Sequence, residues 1–212
     1  MDRPNRSGIL SSLLAAAAIA IVSACAAQRS QGAKPGPDRQ TVLNAVKTAI
    51  AGKTKEELLA ELEEKAGYYF KLSNNCAQTS FLALRDVFDL PDGGISRALS
   101  GFPGLGLRGE TCGTVSGSLM ALGIVYGPDD LEDFPAMMGA VLASAQVCEG
   151  VVAAMGSTQC GDILEAATGR QFDFTRKEDW AAYSASDAPM ACYKVVITAT
   201  HLAAELLMQA TA

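Results

Sequence analysis

Apolar residues recur at helical spacing along nearly the whole chain after residue 41, and no stretch alternates convincingly at period two. Val42, Ala45, Val46, Ala49 and Ile50 mark a first amphipathic helix. Leu58, Leu59, Leu62 and Ala66 mark a second, entered through a Thr54-Lys55-Glu56-Glu57 start. Further apolar windows cover 74–88, 92–100, 112–126, 130–155, 160–168 and 189–210, separated by Gly, Pro and Asp clusters. Seven phenylalanines, five tyrosines and one tryptophan are few for a β-rich core, whereas abundant Ala, Leu and Met suit closely packed helices. The pattern predicts an all-α fold, a compact helical bundle of about seven or eight helices.

The N-terminal stretch has a different pattern. Arg3 and Arg6 precede Ile9–Ala24, which runs for 16 residues without a charge. A membrane span wants ~20 apolar residues, so a basic start, short apolar core and small-residue exit describe an export signal. The exit, Val22-Ser23-Ala24-Cys25, resembles the bacterial lipobox, in which the cysteine is diacylated and becomes the first residue after cleavage. Ordinary signal cleavage nearby is the simpler alternative. The expected organisation is a lipoprotein-type signal peptide over 1–24, a lipid anchor at Cys25 with a flexible linker to residue 40, and a helical domain over 41–212. Residues 26–40 hold two prolines and two glycines and almost nothing apolar. The expected location is a bacterial cell envelope, periplasmic if the envelope has two membranes.

Charge and composition then narrow the chemistry. Seventeen Lys+Arg against 23 Asp+Glu give a net charge of −6 with no basic run, so nucleic-acid binding has no support. Removing Asp2, Arg3 and Arg6 with the signal would make the remainder −7. A single histidine, His201, excludes sites built from several imidazoles, while six cysteines invite attention. Outside the cytoplasm such thiols tend to be paired, metal-bound or under redox control.

Four cysteines fall near predicted helix starts. Cys76 follows the cap-rich Ser73-Asn74-Asn75, Cys112 ends the glycine-rich stretch 101–111, Cys160 follows Gly156-Ser157-Thr158-Gln159, and Cys192 lies three residues after Pro189. Free amides and the positive end of the helix dipole favour a thiolate there. A helix end supplies only ~0.3–1 kcal/mol, below the ~1.4 kcal/mol of one pKa unit, so a larger effect needs a nearby cation or metal. Arg108, four residues before Cys112, is the candidate thiolate stabiliser; pairing with Glu110 or simple solvation of the loop are the alternatives. Cys148, inside the apolar stretch from Pro135 to Met155, reads as a small buried hydrophobe. His201 sits mid-helix and is left out of the site.

No C-x-x-C spacing occurs, which removes the thioredoxin-type, haem-attachment and common zinc-finger signatures. Gly104-Leu105-Gly106-Leu107-Arg108-Gly109 matches G-x-G-x-x-G, but a helix end and a proline turn precede it where a dinucleotide loop needs a strand. Gly113 and Gly117 would let another helix approach the turn bearing Cys112.

Cys76, the block from Gly106 to Gly117 (GLRGETCGTVSG), Cys160 and Cys192 resemble the redox-active family named for its C-GCAxxG-C-C cysteine pattern. The likeness covers residues 66 to 207, with Thr114 standing where members usually carry alanine. It implies a helical protein with four shared cysteines at Cys76, Cys112, Cys160 and Cys192, often exported and associated with membrane or periplasmic oxidoreductase or transporter systems. Cys25 and Cys148 are extra to the pattern.

Three chemistries remain open. The expected one is thiol–disulfide or electron-transfer redox activity of a pair among the four, with Cys112 as nucleophile. A second is a metal or iron–sulfur module held by all four thiolates as its cofactor site. A third is a non-catalytic, disulfide-stapled lipoprotein that binds a partner. A bridge between Cys76 and Cys112 would contribute roughly 4 kcal/mol on the chain-entropy model. Four cysteines permit three connectivities, so the pairing stays undetermined.

Overall fold

A computed structural model describes residues 36–211. The expected signal peptide, the Cys25 anchor and most of the linker lie outside the described residues. Eight longer helices follow in order: α1 (Arg39–Ile50), α2 (Lys55–Ser73), α3 (Cys76–Phe88), α4 (Gly113–Tyr126), α5 (Phe134–Met155), α6 (Cys160–Thr168), α7 (Lys177–Ser184) and α8 (Ala188–Gln209). Short helical turns at Ile95–Ala98, Leu99–Gly101 and Gly104–Leu107 connect α3 to α4. Among the described residues the fold is all-α, without strands; Thr111 and Gln159 form one isolated antiparallel bridge.

Local chemistry starts and stops these helices. At α2, Thr54 accepts from the Glu57 amide at 3.2 Å, while Glu57 accepts from the Thr54 amide at 2.7 Å. Asn74 ends α2 in the left-handed region, and Asn75 then caps α3 by accepting from the Gln78 amide at 3.0 Å. Two sequence expectations are corrected. The first helix starts at Arg39, two residues before the helical reading that begins at 41, because Asp38 caps α1 through the Thr41 amide at 2.7 Å. Helix α7 had no apolar window; apart from Asp179 and Tyr183 it buries little, so no stripe marks it.

The core forms where α3 packs on α2 and α4, with α8 laid against all three. Phe81, Leu84, Phe88, Val115, Leu122, Val125, Val196 and Leu207 are almost wholly buried there. Small residues on α4 set the closest approach. A β-carbon at Gly117 would overlap the Ala77 carbonyl oxygen and the Ser80 hydroxyl, and one at Gly113 would fall 2.8 Å from the Cys76 sulfur. The Ser80 hydroxyl, with one proton to give, lies 2.9, 3.2 and 3.2 Å from the Cys76, Ala77 and Thr114 carbonyls and so can bridge the two helices. The G-x-G-x-x-G run follows helical turns, not a strand, and carries left-handed backbone at Gly104, Leu105, Gly106, Leu107 and Gly109.

Candidate functional site

Cys76 is the first residue of α3, Cys112 is itself the N-cap of α4, and Cys160 is the first residue of α6. Cys192 lies in the second turn of α8. The starts of α4 and α6 are held side by side by backbone pairing of the segments ahead of them. Cys112, Cys160 and Gly161 donate their amides to the Thr158, Glu110 and Gly109 carbonyls, each at 2.8 Å. Gly109 and Gly161 make this approach possible, since a β-carbon on Gly161 would sit 3.2 Å from the Gly109 oxygen. The bare face of Gly113 brings α3, and with it Cys76, beside Cys112. From the other side α7 contributes Tyr183, whose hydroxyl donates to the Cys192 sulfur at 3.5 Å.

The four predicted cysteines therefore converge. Cys76, Cys160 and Cys192 line one small cavity of about 50 Å³, walled by Asn74, Leu107 and the aromatic rings of Phe174, Trp180 and Tyr183. Cys112 lies beside Cys76 and is slightly more buried. All five described cysteines carry free thiols.

The pair Cys76 and Cys112 is electrostatically divided. Hydrogen bonding from the Cys76 thiol is the largest influence on Cys112; burial opposes it, and the Thr114 amide and hydroxyl and the Val115 amide assist. The Cys112 thiol comes down to about 7. Its partner moves the other way, because the same hydrogen bond and burial push Cys76 well above the ordinary thiol range. Burial, with the charges of Cys112 and Cys192, pushes Cys160 up to about 12. Burial also pushes Cys192 up to about 11, although the Tyr183 hydrogen bond works against it. Burial raises the Tyr183 phenol, so it stays a donor.

Thr114 belongs to the site by a second route. Its hydroxyl is fully buried and lacks any other hydrogen-bond partner, so a Cys112 thiolate is the acceptor that satisfies it. The expected result for the reduced protein is one thiolate appearing around pH 7 in an ultraviolet titration, with Cys160 and Cys192 protonated far into the alkaline range. Because a depressed thiol loses its charge as pH falls through its own pKa, reactivity should decline below pH 7. Replacing Thr114 by valine should remove about 1.5 kcal/mol from the thiolate, roughly tenfold in its ionisation, without harming the fold.

Other expected residues stand elsewhere. Arg108 is exposed and is not among the groups acting most strongly on Cys112; the loop turns through left-handed residues between them, so neighbours in sequence do not face each other. The Cys76 thiol takes the role expected of that cation. Cys148 is half-buried on α5 against the main core, and His201 Nε2 pairs with Glu63 Oε1 at 3.1 Å between α8 and α2. Among the described residues no group of three or more His, Cys, Asp or Glu is arranged to hold a metal ion. As placed, Cys76 and Cys112 lie side by side, and Cys160 and Cys192 line the cavity that Cys76 also lines. Sequence reading missed Tyr183, Asn74, Leu107 and the aromatic wall; the unpatterned α7 gave no signal for the first of these.

A family model described as Putative redox-active protein (C_GCAxxG_C_C) matches residues 74–206. The chain belongs to that family. No curated protein and no solved structure matches it. The C_GCAxxG_C_C match begins two residues before Cys76 and extends past Cys192, so it encloses all four converging cysteines and the α3–α4 contact. Cys148 also falls within it but stands apart from the cavity.

Proposed function

We propose that the domain is a thiol–disulfide redox protein whose working couple is Cys76 and Cys112. The observation that carries this reading is the pair itself: a thiolate-forming sulfur at a helix N-terminus, aligned with a second thiol that donates to it. In the oxidative direction, the Cys112 thiolate attacks one sulfur of a small disulfide and expels the other as thiolate. Cys76 passes its proton to that leaving group and attacks the Cys112 sulfur, displacing the second thiolate. The products are a Cys76–Cys112 disulfide and two reduced sulfurs, so two electrons leave the protein.

Leu107, partly exposed and with left-handed backbone, forms part of the wall of the cavity on which Cys76 opens. Cys160 and Cys192 are two further, less acidic thiols lining the same cavity. Treatment with a linear disulfide, alkylation of remaining thiols and peptide mass mapping should show loss of two hydrogens on a joined Cys76/Cys112 peptide, reversed by a dithiol reductant. Both cysteines remaining alkylatable would overturn the proposal.

We further propose that the chain is exported to a bacterial envelope, anchored through lipidated Cys25, and serves a membrane or periplasmic oxidoreductase or transporter. The apolar Ile9–Ala24 run and the Val22-Ser23-Ala24-Cys25 exit support this. Incorporation of labelled fatty acid, lost in Cys25→Ser, is the expected result.

A further inference from the structure

Helix α5 is apolar on the side that should face water. Ala143, Val147 and Val151 fix it to the core, while Phe134, Met137, Val141, Leu142 and Val152 are exposed. An 18-residue window of it has a mean hydropathy of 1.5 with 17% of its residues buried. At 100° per residue, Phe134, Val141 and Val152 lie within about 20° of one line, with Met137 and Leu142 flanking it. Leu131, 95% exposed, leads into this stripe. Between Arg108 and Arg170 the chain has no Lys or Arg, and the stripe is headed by Asp130, Glu132 and Asp133.

The place where the N-terminal chain emerges identifies the occupant. Arg39, the first residue of α1, donates its amide to Asp129 at 3.0 Å and its guanidinium Nε to the Val125 carbonyl at 2.9 Å. The start of α1 therefore lies beside the α4–α5 connection, which leads through Leu131 to Phe134. Thirteen Cα-to-Cα steps lead from Cys25 to Asp38, a reach of at most about 45 Å, comparable with the ~33 Å length of α5. We infer that the outer face of α5 is a membrane-docking surface that lies against a zwitterionic lipid surface, Phe134 and Leu131 leading the insertion.

The acidic head and the missing basic residues mean that apolar insertion, not charge attraction, holds the helix there, and that anionic lipid weakens it. A second copy fits less well. Antiparallel pairing of two α5 helices would set Glu149 near Val141 of the other with no cation to meet it, whereas on a bilayer Glu149, between the stripe's central line and Leu142, limits insertion to the depth at which its carboxylate still meets water. The inference rests on the proposed anchoring for its tether.

The full chain, purified from membranes of an expressing bacterium, is reconstituted with phosphatidylcholine vesicles carrying brominated acyl chains. The V141W/W180F variant reports on α5, and the native sequence, with Trp180 on α7, is the control. Emission from V141W/W180F should be quenched several-fold more than native Trp180, and the quenching should fall as phosphatidylglycerol replaces phosphatidylcholine. Adding Leu142→Lys should reduce it further. Quenching no greater than that of Trp180 would overturn the inference, as would a blue shift without quenching in a protein of doubled mass. Flotation of Cys25→Ser is read separately. A V141W/W180F chain with Cys25 intact that floats unquenched sinks the docking surface alone; the same variant carrying Cys25→Ser that floats and is quenched as before sinks the anchor and supports the surface.

Discussion

Replacing Cys112 by serine should remove the thiolate that forms near pH 7 and slow exchange with a small disulfide at neutral pH by roughly a hundredfold. The magnitude follows from the remaining thiols. Of the other two cavity thiols, Cys192, at about 11, is more acidic than Cys160, at about 12. Moving from about 7 to about 11 lowers the thiolate fraction at pH 7 by three to four powers of ten. The more basic thiolate is intrinsically more nucleophilic, with a Brønsted slope of ~0.4–0.5, which returns nearly two of them. Stopped-flow exchange kinetics with a chromogenic disulfide would measure this, beside Cys148→Ser, expected to behave as the native protein. Equal rates in the two variants would show that Cys112 is not the reacting sulfur. Cys76→Ser should give a different failure: attack still occurs, and the mixed disulfide at Cys112 accumulates because nothing displaces it.

Gly117→Ala should destabilise the domain by about 2 kcal/mol and disturb the redox pair together. Alanine is the better helix former by ~1 kcal/mol, so an isolated α4 would gain. In the folded protein the added methyl meets the Ala77 carbonyl, a backbone group that cannot rotate aside, and α3 must move away. Thermal unfolding should fall by roughly 4–8 °C for a domain of this size. Because α3 carries Cys76, the displacement also weakens the hydrogen bond that holds Cys112 near 7, and its titration should shift upward. Gly123→Ala on the same helix meets no atom within 4 Å and should stabilise by about 0.5–1 kcal/mol, with the titration unchanged. A Gly117→Ala protein with native melting and native titration would show that the close crossing does not position the cysteines.

Much of the fold was legible because helices announce themselves locally. Windows 74–88, 112–126 and 160–168 coincide with α3, α4 and α6 to within two residues, since caps such as Asn75 act over three or four positions. Arg108 shows where that reasoning stops: four residues from Cys112 along a chain that turns through left-handed backbone, it points to solvent. Tyr183 shows the complementary loss, as a residue on a short, mostly exposed helix becomes part of the site only because α7 folds back on Cys192.

The one-dimensional chain determined that this protein is helical and that three of its sulfurs stand at the first or capping residue of a helix, because capping and periodicity are interactions among near neighbours. It left all three pairings of four cysteines equally open. Only the tertiary structure sets Cys76 beside Cys112, since that depends on two glycine faces of α4 admitting a helix from 36 residues earlier, and on the energy of a contact that exists only after both have packed.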